Sequence, residues 1–117
     1  MNSLAWQLHD AVIIRCSLER ERWVLDVQLY EAYYPQKPVI TLTFSGIYNQ
    51  QGVQKLHEAI TADGDIEPGW NGTRINAFQY DTTRPSKEND LYLFLHADHT
   101  DSVTIHCQRF TATENNL

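Results

Sequence analysis

Lysine is scarce in this chain: three residues in 117, against fifteen carboxylates. Nine basic residues in all leave a net charge of −6 and a pI near 5.2. Neutralising a phosphate backbone takes clustered Lys and Arg, so this balance argues against a DNA- or RNA-binding module. It suits a basic protein partner instead, because complementary charge speeds encounter and disfavours wrong partners. Cysteine is equally sparse. Cys16 and Cys107 each fall at an apolar phase of an expected strand, which points to buried free thiols. No apolar run approaches the ~20 residues of a membrane span, and no charged-then-apolar leader opens the chain, so a cytoplasmic protein with no membrane partner is expected. The Asn-Gly-Thr at 71–73 is a glycosylation signal only in a secreted protein. Five glycines are scattered through the chain, none in a phosphate-cradling loop. The length fits a single domain over residues 1–117, able to build its own core.

What is present is alternation. Val12, Ile14, Cys16 and Leu18 are apolar at even positions, and Trp23, Leu25, Val27 and Leu29 at odd ones. Pairing Leu18 with Trp23 sets Cys16 against Leu25 and Ile14 against Val27, so both apolar sets share one face. The intervening Glu19–Arg22 contains no Gly, Asn or Asp and reads as a four-residue loop. A third strand, Val39–Ser45, turns Ile40, Leu42 and Phe44 inward, and Gly46 allows a bend after it. Val53, Leu56 and Ile60 then recur at helical spacing between Gln50 and Ala62, with Asn49 suited to cap the start and Gly64 the end. Further strands are expected over 74–80, 91–97 and 102–111. The order β-β-β-α-β-β-β implies an α+β fold. Its sheet of about six strands is antiparallel, either open or curled into a half-barrel, with the helix on one face.

The densest chemistry lies in Leu93–Cys107, "LFLHADHTDSVTIHC". Facing Ala97 with Val103 would bring His96 and His106 into diagonal contact on the second face, with Asp98 beside them. Three such ligands could hold a metal, although no recognised metal spacing is present. The competing reading is a hairpin that uses its histidines as amphipathic filler. His57 sits at the edge of the helix's apolar face and reads as a core-edge histidine. Ser45–Gly46 lacks the flanking glycine of a nucleophile elbow. The loop Asp63–Gly72 resembles a calcium loop only at Asp63 and Asp65, because Pro68 stands where glycine is needed and Arg74 where a bidentate Glu is needed. No cofactor is implied. Carboxylates do occur together with aromatics: Asp63, Asp65, Glu67 and Trp70 share one loop, and Glu31, Tyr33 and Tyr34 another. Such mixtures are typical of protein interfaces.

The opening "WQLHDAVIIRCSLERERWVLDVQL" and the later "ITLTFSGIYN" resemble the first half of small immunity proteins of bacterial polymorphic-toxin systems. In those, a motif like Leu8-His9-Asp10 introduces the first hairpin. The resemblance implies a non-enzymatic protein that binds and blocks one cognate toxin domain. It carries over no functional residue, and His9 and Asp10 read as a structural network at a strand start. The expected contact residues, chosen on acidity and aromaticity, are Asp63, Asp65, Glu67 and Trp70, with Asp98 and Asp101 as a second patch.

Overall fold

Seven strands and one helix succeed one another in the computed structural model, which describes residues 6–61, 73–81, 90–98 and 100–115. They are β1 (Val12–Glu19), β2 (Arg22–Gln28), β3 (Val39–Ser45), α1 (Gln50–Thr61), β4 (Thr73–Tyr80), β5 (Leu91–Ala97), β6 (Val103–Cys107) and β7 (Arg109–Asn115). The fold is α+β, and all strands pair antiparallel in the order β6-β5-β4-β1-β2-β3-β7. Among the described residues no helix is long and apolar enough to cross a membrane.

The expected strand over 102–111 is two strands. A single residue, Gln108, separates β6 from β7, yet these lie at opposite ends of the ladder. Consecutive Cα atoms are only about 3.8 Å apart, so the sheet must curl until its ends meet at Gln108. The aromatic interior reflects that curl. Phe44 of β3 stacks on Trp23 and Phe110, and Phe78 of β4 lies 5.5 Å from Phe110 of β7. Opposite the corner stands Gly46, at φ +66, where a Cβ would come within 2.7 Å of the Gln108 side chain. Gln108 N bonds the carbonyls of Ser45 and Gly46, both at 3.1 Å. Beyond this corner the chain leaving β3 runs along β6: Tyr48 N donates to His106 O, and the Asn49 amide bonds Thr104 O and His106 N. The side chain expected to cap α1 is therefore spent on the free edge of β6.

The first hairpin keeps the expected Leu18–Trp23 and Cys16–Leu25 pairs but departs in two places. Val27 faces Ile13 rather than Ile14, because the register shifts between Ile13 and Arg15. This bulge inverts the alternation and turns the fully buried Ile13 inward. The turn is also tighter than a four-residue loop. Glu19 pairs with Arg22, and Arg20 adopts φ +52, a conformation L-residues avoid by ~1 kcal/mol or more. The apolar register sets the turn length, overriding the lack of favourable turn residues.

Among the described residues β1 and β4 share two ladder pairs, Val12–Arg74 and Ile13–Thr73. Leu8-His9-Asp10 reinforces that short seam. Leu8 is buried, Asp10 N donates to Ile75 O, and His9 Nδ1 donates to Asn76 O at 2.8 Å. Beyond the seam, α1 packs against both β1 and β6, and buries Val53, Leu56 and Ile60. The imidazole of His57 accepts a 3.1 Å hydrogen bond from Nε1 of the fully buried Trp23.

Candidate functional site

The β5–β6 register decides the fate of the histidine cluster. Leu95 faces Val103, Leu93 faces Ile105 and Leu91 faces Cys107, so the strands are slid by two residues from the expected pairing of Ala97 with Val103. Both alignments keep the same apolar faces together, and a period of two cannot distinguish them. In the observed one His106 sits opposite Tyr92, four residues along β5 from His96. At about 3.3 Å per residue that separates the two imidazoles by roughly 13 Å along the strand. The convergence of His96, His106 and Asp98 therefore does not form. Among the described residues, no three His, Cys, Asp or Glu side chains are grouped to hold a metal ion.

The register assembles something else. Tyr92, Phe94 and His96 alternate with the buried Leu93, Leu95 and Ala97, and so occupy the outer face of β5. The Tyr92 ring lies nearly parallel to that of His106, with centroids 4.3 Å apart. Tyr48, carried over β6 by the segment that follows Gly46, packs on His106 at 4.4 Å. Two rings this close to one imidazole must take its opposite faces, so His106 is sandwiched. The Tyr48 hydroxyl accepts a hydrogen bond from Gln108 Nε2 at 2.9 Å, while the residue remains 51% exposed. At the margin of the stack, Asp90 Oδ2 lies 3.5 Å from His106 Nε2, a buried nitrogen with no hydrogen-bond partner.

Neither thiol is poised for chemistry. Burial raises the Cys16 pKa and pushes Cys107 up to about 11, and the Cys107 thiol donates to Arg109 O at 3.4 Å. Thiols held protonated in this way are poor nucleophiles.

Of the contact residues expected from sequence, Asp63, Asp65, Glu67 and Trp70 lie outside the described residues. Asp98 follows β5 directly, half-buried, and its amide donates to Arg74 O. Asp101 is exposed at a groove of about 310 Å³ between α1 and the β5–β6 turn, also lined by Lys55, Leu56 and Val103. In the loop after β2, Tyr33 is 51% exposed, whereas Tyr34 Oη accepts from Gln7 N and Glu31 pairs with Lys37 at 3.3 Å. Nothing in the local sequence marks Tyr48 or Asp90 as site residues. Each lies just outside a regular element, and only the strand register brings them to His106.

Comparison with known proteins finds no matching family model, no matching curated protein and no matching solved structure.

Proposed function

We propose that this is a non-enzymatic binding protein of the immunity type, which neutralises a cognate toxin domain through an acidic, aromatic-containing surface in a bacterial cytoplasm. The observation that carries the reading is the stack of Tyr48, His106 and Tyr92 beside the Asp90 carboxylate, in which Tyr48 is exposed and the other two are partly buried. Exposed aromatics held in place and bordered by charge are the common anchors of protein interfaces. A net charge of −6 favours a basic partner, such as a nuclease, whose own substrate is anionic. The resemblance of Leu8-His9-Asp10 and Ile40–Asn49 to immunity proteins points the same way. The surface this reading uses is the outer face of β5 and β6, which Asp98 follows at the end of β5; Asp63, Asp65, Glu67 and Trp70 lie outside the described residues, and Asp101 lines the groove beside α1.

The test is growth of cells expressing the toxin-like C-terminal domain encoded by a neighbouring gene, with and without this protein. Rescue, together with a co-purifying complex that weakens as salt rises, is the expected result. Toxicity without rescue, or rescue without a complex, overturns the reading.

A further inference from the structure

We propose that Tyr48, His106, Tyr92 and Asp90 form a seat for one arginine side chain of a partner protein; the inference rests on the reading above, that this surface binds a basic protein. The aromatic part is set before any partner arrives. Tyr48 is held by its backbone amide on His106 O, by its hydroxyl on Gln108 and by its ring on the imidazole, yet half of it is open to solvent. A plane fixed at three points loses little further freedom when a second plane settles on it.

The carboxylate supplies the second half of the argument. The Asp90 side chain is only 20% exposed, and the one basic group within ion-pair range among the described residues is His106, which makes no hydrogen bond to it. Asp26, the comparable carboxylate on the outer face of β2, is fully provided for. Arg15 Nε lies 3.2 Å from it, and Thr41 donates to it at 2.7 Å. A carboxylate largely withdrawn from water favours a donor that brings both charge and hydrogen bonds. An anionic ligand would be repelled by Asp90, and an apolar one would bury it further with nothing in return. Arginine fits better than lysine, because its guanidinium plane can lie on a tyrosine ring while its fork of N–H groups reaches a carboxylate.

The full chain is titrated with N-acetyl-arginine amide, N-acetyl-lysine amide and the neutral isostere N-acetyl-citrulline amide, following the ring signals of Tyr48, Tyr92 and His106 by NMR. Arginine should give saturable shifts with a Kd of about 10 mM, as befits a single side chain. Lysine should bind about five-fold more weakly and citrulline not measurably. Asp90→Asn and Tyr48→Ala should each weaken arginine binding about ten-fold or more, whereas Tyr48→Phe, which keeps the ring, should retain it. The spectrum away from the site reports whether each variant is folded. Absence of saturable shifts up to roughly 200 mM, equal shifts with citrulline, or an unchanged affinity in folded Asp90→Asn overturns the seat. Arginine binding without rescue of growth would uphold the seat and sink the toxin reading; rescue without arginine binding would do the reverse.

Discussion

Replacing His57 with alanine should cost the fold more than an ordinary helix-surface change. His57 lies on α1, which packs over Trp23, and its Nδ1 accepts the indole N–H at 3.1 Å. An indole nitrogen only donates, and Trp23 is fully buried, so no solvent stands ready to replace the imidazole. Stranding a buried donor costs about 1–3 kcal/mol. Loss of the edge-on ring contact, centroids 6.4 Å apart, adds about 0.5–1 kcal/mol. The better helix propensity of alanine returns about 0.5 kcal/mol. The net expectation for His57→Ala is a destabilisation of about 1–3.5 kcal/mol, a shift of roughly 1–3 M in the urea midpoint for a domain of this size. His57→Gln, whose side-chain carbonyl can accept the same bond, should recover part of it.

The double variant with Trp23→Phe separates this bond from general packing. Without the indole N–H, the His57→Ala effect should shrink by about 1 kcal/mol or more. The same contact carries a pH signature. Burial lowers the His57 pKa below 6.5, against a smaller opposing pull from Glu58, and only the unprotonated Nδ1 can accept from Trp23. A group whose folded pKa is depressed gives stability that is complete above the unfolded value. That stability is lost as pH falls from 6.5 through the folded pKa, and the loss then levels off. His57→Gln should flatten that portion of the profile. If His57→Ala lies within about 0.5 kcal/mol of the parent, or is additive with Trp23→Phe, the hydrogen bond is not what holds α1 to the sheet.

Two further changes test how the sheet closes. Gly46→Ala combines a left-handed backbone with a 2.7 Å approach to the Gln108 side chain, and should destabilise by about 2 kcal/mol or more in urea denaturation. Pairing it with Gln108→Ala should recover the steric share but not the backbone share. Asn49→Ala removes two hydrogen bonds from the edge of β6 and should cost about 1–3 kcal/mol, with faster hydrogen exchange at the His106 amide. Unchanged exchange there would mean that the edge is covered by something other than Asn49.

Alternation carried most of the architecture. β3 and β5 have the boundaries that their apolar periods imply, and α1 buries the Val53, Leu56 and Ile60 that its spacing picks out. Legibility ended wherever two arrangements satisfy one pattern. A β5–β6 pairing slid by two residues leaves every side chain on its original face, so periodicity cannot place His106 opposite Tyr92 instead of Phe94. The bulge after Ile13 is likewise silent, since Ile13 and Ile14 are chemically equivalent and either could face Val27. The strand over 102–111 reads as continuous because its bend at Gln108 is made by Gly46, more than sixty residues upstream.

The same long-range dependence explains why the aromatic site is invisible locally. An uncovered edge on β6 would offer unpaired backbone groups to any passing strand. The segment after β3 removes that hazard by lying along β6, with Tyr48 N on His106 O and the Asn49 amide on either side of it. Once Asn49 is docked there, Tyr48 has little choice but to cover His106, whose other face Tyr92 already occupies. Closing the edge and building the stack are thus one structural act. His9 and His57 each direct a ring nitrogen into a hydrogen bond that the fold needs, whereas His106 Nε2 is left without one beside Asp90. It follows that Asn49→Ala, which alters no residue of the seat, should still weaken arginine binding by freeing Tyr48. Binding that survives with the edge demonstrably opened would show that the tyrosine is held by its ring contacts alone.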